Sequence, residues 1–411
     1  MLIADSDHIG NLPYLNSDNG FKGKIFSTYE TIEISKKLIE DNVNIHDKTI
    51  QKIKSIGRKS RPLFTKQNMC EMFSNMEILP LNTKIYLDDR ISVKLLSNNH
   101  CYGSCMIQLW IKKLNGNTIS LLYTGDMGSK YNKQINPFNG ERQTFPKCNY
   151  IITEGTYNDI TKILNKQIVK DELKRFKDTI KEAVLNKRRI LISSFSFNKG
   201  QYLPCLLYEL LHDEEWFNIN IIIDGVLIHK INEVYMRTLN TEKREYFNKV
   251  MNWSRIKTIK TTDSTKAFLM KKEPSIVIST SGFLTQGRIV TYLSQYIDSS
   301  NCTLIFTGYF GDENSLGGRI CNSNQKTVTI EGQTKLKKAE VFTFENAFSG
   351  HIQNNELINE LKNVQCDKLF IHHSSEDGKY ELADTIRNEA RKCNNTMKVI
   401  AVDKDNRYFD L

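Results

Sequence analysis

Apolar residues recur with two different periods along this chain, and the change of period divides it. Between residues 84 and 124 the alternation is strand-like. Lys84 to Asp88 and Ile91 to Leu96 read as one hairpin turning at Asp89 and Arg90. Met106 to Lys112 and Thr118 to Thr124 read as a second, turning at Gly116 and Asn117. Ahead of them, Ile32, Leu38 and Ile39 give residues 29–41 the partial apolar face of a helix, and residues 43–78 read as polar helix. From about residue 160 the helical period takes over, with Val169, Leu173, Phe176, Ile180 and Ala183 on one face. Short apolar runs then alternate with helices: Ile190 to Ser193, Ile219 to Asp224, Ser275 to Ser279 and Thr303 to Thr307. Strands separated by helices predict a parallel sheet covered on both faces. Val341 to Phe344, Lys368 to Ile371 and Met397 to Val402 read as a return to the first core.

The expected fold class is therefore α/β, in two domains. Residues 1–158 and 341–411 form one core, and residues 159–340 form an inserted α/β domain. The length of 411 residues suffices for two such cores. A hydrophobic fraction of 39% with 25% charged residues fits a globular protein, and no apolar run reaches the roughly 18 residues of a membrane span. Without a signal-peptide pattern at Met1, the expected location is cytoplasmic. The 9 cysteines are scattered with no Cys-x-x-Cys pair, which predicts reduced thiols and argues against a cysteine-rich zinc site. A net charge of +10 favours acidic partners such as nucleic acid. Lys52, Lys54, Arg58, Lys59 and Arg61 concentrate that charge locally.

Candidate chemistry lies in short segments spread over the whole chain. The chain opens Met1-Leu2-Ile3-Ala4-Asp5-Ser6-Asp7-His8. His100 sits in a loop between two hairpin strands. Thr124-Gly125-Asp126 places a carboxylate at one strand exit, and Glu154-Gly155-Thr156-Tyr157 places another. Ser349-Gly350-His351 and the pair His372-His373 complete the series. Each segment alone is weak evidence. Together they set histidines and carboxylates at strand ends, the donor types that zinc accepts.

In this order the motifs resemble those of the β-CASP branch of metallo-β-lactamase-fold nucleases, a group that includes the pre-mRNA 3′-end endonuclease and bacterial ribonuclease J. The resemblance runs from Asp7 to about Arg387. It implies an αββα sandwich with an inserted parallel-sheet β-CASP domain. The family's loop reads His-x-His-x-Asp-His. Here Ile3 and Asp5 stand at its histidine positions, while Asp7 and His8 match. The resemblance also implies core strands ahead of this loop, where the chain has only two residues.

By resemblance, Asp7, His8, Asp126 and His373 would hold one zinc ion tightly. Asp5, His100 and the shared Asp126 would hold a second weakly. His372 and His373 alternate along a strand, so only one can ligate, and His373 is the better match. Glu154 and His351 would form the acid–base pair, facing each other where the two domains meet. Asp7 would join them in catalysis, and Ser349 and Gly350 would contact a phosphate. The expected function is hydrolysis of phosphodiester bonds in nucleic acid, RNA before DNA, by zinc-activated water. Two alternatives stand beside it: a catalytically impaired member that binds nucleic acid or a protein partner, and a hydrolase of small substrates.

Overall fold

The computed structural model describes residues 4, 6–16, 20–131, 136–376 and 378–403. The chain forms two units, residues 1–130, 139–164 and 350–411 in the first and residues 131–138 and 165–349 in the second. Ile3 and Asp5 lie outside the described residues.

The first unit starts with α1 (Ser6–Ile9) and a 3-10 turn, then β1 (Ile25–Ser27), α2 (Tyr29–Ser55), α3 (Lys66–Ser74) and β2 (Met76–Ile78). The helix expected over 29–41 continues to Ser55. Residues 42–55 contain neither glycine nor proline, so nothing stops it before Gly57. There a φ of +78° turns the chain out of the helix, and the Gly57 and Arg58 N–H groups close on Lys54 O and Ile53 O.

Strands β3 (Lys84–Tyr86), β4 (Ile91–Ser97), β5 (Cys105–Lys112) and β6 (Thr118–Tyr123) are antiparallel neighbours, as the hairpin reading requires. β7 (Tyr150–Glu154) adds in parallel to β6.

The second unit contains α4 (Lys166–Leu185), β8 (Arg189–Ser193), α5 (Lys199–Leu211), β9 (Asn220–Asp224), α6 (Val226–Thr238), α7 (Thr241–Met251), β10 (Ile256–Ile259), α8 (Thr262–Leu269) and β11 (Ser275–Ser279). It continues through α9 (Arg288–Tyr296), β12 (Cys302–Thr307), α10 (Leu316–Cys321), the small hairpin β13 (Thr327–Ile330) and β14 (Gln333–Leu336), and β15 (Glu340–Phe344). Its main sheet is all parallel, in the order β10-β9-β11-β8-β12-β15. β8, β11 and β12 are buried along their whole length, which explains why their sequences are continuous apolar runs.

Here one expectation needs correction. The segment Val341 to Phe344 does not return to the first core, because β15 pairs with β12 in register Leu304↔Val341. A four-residue strand segment carries no mark of the sheet it joins. In the second unit it completes the edge beside β12.

The first unit resumes with α11 (Asn354–Leu361), β16 (Lys368–His372), α12 (Lys379–Lys392) and β17 (Lys398–Ala401). Its main sheet has the order β17-β16-β7-β6-β5-β4-β3. One face carries Leu96, Met106, Leu122, Ile151, Leu369 and Ile371 and packs on Leu357 and Leu361 of α11 and Leu382 and Ile386 of α12. On the other face Val93, Leu95 and Cys105 meet Phe26 of β1. β1 and β2 form a two-stranded parallel sheet, flanked by the buried face of α2. This is an αββα layering whose second sheet is two strands wide among the described residues. No helix among those residues is long and apolar enough to cross a membrane, and all the cysteines are free thiols.

Candidate active site

The carboxyl ends of β6, β7 and β16 lie side by side, so the residues just beyond them converge. In the β7/β16 register His372 stands opposite Glu154. His373 follows with a φ of 51°, a left-handed turn at the strand exit. The Asp126 loop is held from below by Asn98, whose side-chain amide donates to Thr124 O at 3.1 Å and Asp126 O at 2.7 Å. Ser104 and the His100 N–H close on the Asn98 Oδ1. Gly128 must be glycine, because a Cβ there would fall 1.9 Å from Asn99 O.

The buried Asp126 carboxylate is the hub. His8 Nε2 lies 2.9 Å from its Oδ2, and His373 Nδ1 lies 3.6 Å from its Oδ1. Asp7 Oδ2 is 3.7 Å from His8 Nε2. Asp7, His8, Asp126 and His373 are thus neighbours, although they span the chain. A second group shares the hub: ligand atoms of His100, Asp126 and His351 lie within 4.8 Å of one another. His100 also meets the Gly350 carbonyl through Nδ1 at 2.9 Å. Burial works against the ionised form of Asp126. The His8 hydrogen bond and the charges of His100, His351 and His8 outweigh it and hold the carboxyl well below its usual range.

Glu154 is fully buried and accepts a hydrogen bond from His351 Nδ1 at 2.9 Å and another from the Met127 N–H. Both residues of this pair belong to the first unit. Burial raises the Glu154 carboxyl, and the His351 charge and hydrogen bond reverse that to a net lowering. Thr156 is a node with no role assigned from sequence. Its hydroxyl donates to Glu154 Oε2 at 2.5 Å and lies 3.3 Å from His351 Nδ1 and 3.0 Å from His373 Nδ1. One proton and two lone pairs suffice for all three contacts. The spacing Glu154-x-Thr156 was its only sequence signal. His372 points elsewhere and stacks on Tyr123 with ring centroids 5.3 Å apart. Burial lowers its pKa, with the neighbouring His373 charge adding to the effect. Ser349 is buried and is the last residue of the second unit.

Arg142 was also silent in the sequence. Its guanidinium reaches Glu356 and Glu360 of α11 and donates to Gly128 O at 3.0 Å. Glu356 in turn accepts from Ser129 Oγ at 2.7 Å and Lys130 N at 3.0 Å. This buried ion cluster ties the loop after Asp126 to the helix that follows His351.

Fold and site together define a class: a metallo-β-lactamase-type core, continuous in sequence with a parallel-sheet α/β unit. A model of the Beta-Casp domain matches residues 200–320, within that unit. Ribonuclease TTHA0252 of Thermus thermophilus is 24% identical over 380 residues, covering 91% of this chain and 80% of its own length. Transcription termination factor FttA of Methanocaldococcus jannaschii is 26% identical over 404 residues, 95% of this chain and 60% of that protein. Endoribonuclease ysh1 of Schizosaccharomyces pombe is 24% identical over 383 residues, 90% of this chain and 46% of that one. The chain therefore spans three fifths or less of the last two relatives. A crystal structure of an Enterococcus faecalis V583 protein of unknown function shares the fold, with a TM-score of 0.50 at 11% identity over 94% of this chain and 76% of that one. The Beta-Casp match and these similarities support a place in the β-CASP branch of the metallo-β-lactamase-fold nucleases.

Proposed function

We propose that this protein is a metal-dependent hydrolase that cleaves phosphodiester bonds of RNA. One observation carries the reading: a fully buried carboxylate, Glu154, on the His351 imidazole at 2.9 Å, beside the Asp126-centred group of histidines and carboxylates. The similarity to proteins named ribonuclease and endoribonuclease points to RNA as the substrate.

The donor set fits a divalent ion such as zinc, which takes imidazole nitrogen and carboxylate oxygen together. Asp7, His8, Asp126 and His373 would hold one ion tightly. His100, Asp5 and the shared Asp126 would hold a second more weakly. Bound metal would supply an activated water and polarise the phosphate. The chain's own residues do the rest. Glu154 fixes Nδ1 of His351 as the protonated nitrogen and commits Nε2 to proton transfer toward the leaving oxygen. Ser349 and the Gly350 backbone are the proposed phosphate contacts.

The test is cleavage of end-labelled RNA by the zinc-loaded full chain, by His351→Ala and by Glu154→Gln. Each substitution should lower kcat by about 100-fold or more while bound zinc stays unchanged. Wild-type kcat in either variant would refute the acid–base assignment. A second reading, a binder with impaired turnover, rests on Ile3 and Asp5 at the two histidine positions of the loop. It predicts RNA binding without cleavage even in excess zinc.

A further inference from the structure

The turns leaving the carboxyl ends of three adjacent strands of the second unit bring three aromatic rings together. Phe195 follows β8, Phe283 follows β11 and Tyr309 follows β12. Ring centroids are 4.9 Å apart for Phe195 and Phe283 and 5.7 Å for Phe283 and Tyr309. Phe283 is 37% exposed and Tyr309 63%. An ammonium stands at the edge of the trio: Lys199 Nζ lies 5.3 Å from the Phe195 centroid and donates to Thr307 O.

Two glycines keep this arrangement open. A Cβ on Gly282 would fall 2.7 Å from the Phe195 ring. A Cβ on Gly308 would fall 2.7 Å from Lys199 Nζ, and its φ of +86° disfavours other residues in any case.

The place in the topology matters as much as the composition. From β8 the chain moves to β9 and β10 on one side of the sheet, then returns through β11. It crosses to β12 and β15 on the other side. The β8/β12 pair is therefore the point where strand order reverses, and open parallel sheets bind ligands outside the carboxyl ends at that point.

We propose that Phe195, Phe283 and Tyr309 form a stacking platform for the bases of a single-stranded nucleic acid, with Lys199 beside it for the phosphate backbone. Exposed rings next to a cation match the way single strands are gripped without sequence readout, and the net charge of +10 suits a polyanion. The proposal rests on the nucleic-acid reading above and adds to it a site of base contact.

The test is fluorescence anisotropy of the full chain with labelled oligouridylate, the matching DNA oligomer, and an abasic oligomer of equal length. Wild type should bind the base-bearing strands more tightly than the abasic one. The Phe283→Ala/Tyr309→Ala double variant should lose roughly tenfold in affinity for the former and little for the latter. Tyr309→Trp should retain affinity and show quenching of the new indole on binding, which separates stacking from loss of fold. The RNA and DNA arms show which polymer the platform favours. A double variant that binds like wild type, or a wild type indifferent to the bases, overturns the platform and leaves the hydrolase reading standing. A wild type that binds neither strand overturns both.

Discussion

Thr156 carries more of the site than its size suggests. Its hydroxyl faces Glu154, His351 and His373 at 2.5, 3.3 and 3.0 Å, so one oxygen fixes the proposed acid–base pair and a proposed metal ligand together. Groups of this kind typically contribute about 10–100-fold to activity or metal affinity. Thr156→Val, which keeps the shape and removes the hydroxyl, should lower kcat on RNA by about that factor with KM little changed, and Thr156→Ser should restore most of it. Steady-state kinetics of the two variants checks this, and a wild-type rate in the valine variant would remove Thr156 from the account. The candidates His100, Asp126, Glu154, His351 and His373 could be named from the sequence because each ends or follows a readable strand, and His8 because Asp7-His8 matches the family's loop. Thr156, Asn98 and Arg142 could not. Apart from Glu154, two positions from Thr156, the partners that matter lie about 30 to more than 200 positions away, and local pattern does not record such pairings.

At the scale of elements, hairpins and buried strands were legible because period-two alternation and continuous apolar runs follow directly from the number of faces each strand buries. Strand β15 was legible as a strand but not in its membership, which only the pairing with β12 decides. The buried polar groups around the parallel sheet of the second unit were equally hidden. Asp224, at the end of β9, accepts from Thr265 at 2.8 Å, Tyr292 at 2.7 Å and Arg288. Beside it, His229 of α6 is buried and meets Ile259 O at 3.2 Å. Burial lowers the His229 pKa and Lys260 adds to this, against the backbone hydrogen bonds and Asp224.

The sign follows from linkage. With its folded pKa below the ordinary value of about 6.5, the unfolded chain takes up the proton first as pH falls. The stability His229 contributes is therefore complete above about 6.5 and is lost as pH falls through that value toward the folded pKa. Urea midpoints at pH 7.5 and pH 5.5 should fall more for wild type than for His229→Gln. Equal falls would show that His229 is not a source of acid sensitivity.

Over the whole molecule, the site is assembled from the two ends of the chain. Asp7 and His8 come from its start and His351 and His373 from its last quarter, and both sets meet Asp126. The inserted unit separates them in sequence by more than 180 residues, yet the proposed acid–base pair and the Asp126 hub all fall in the first unit. The two groups around Asp126 lead to different expectations for metal, and this makes the central claim testable. If Asp7, His8, Asp126 and His373 form the tight site, the protein should retain about one zinc per chain through extensive dialysis. His373→Ala should release it, and His100→Ala should leave it largely bound, with both variants folded by circular dichroism. Two zinc ions retained per chain, or zinc lost from His100→Ala and kept by His373→Ala, would contradict this account of the centre.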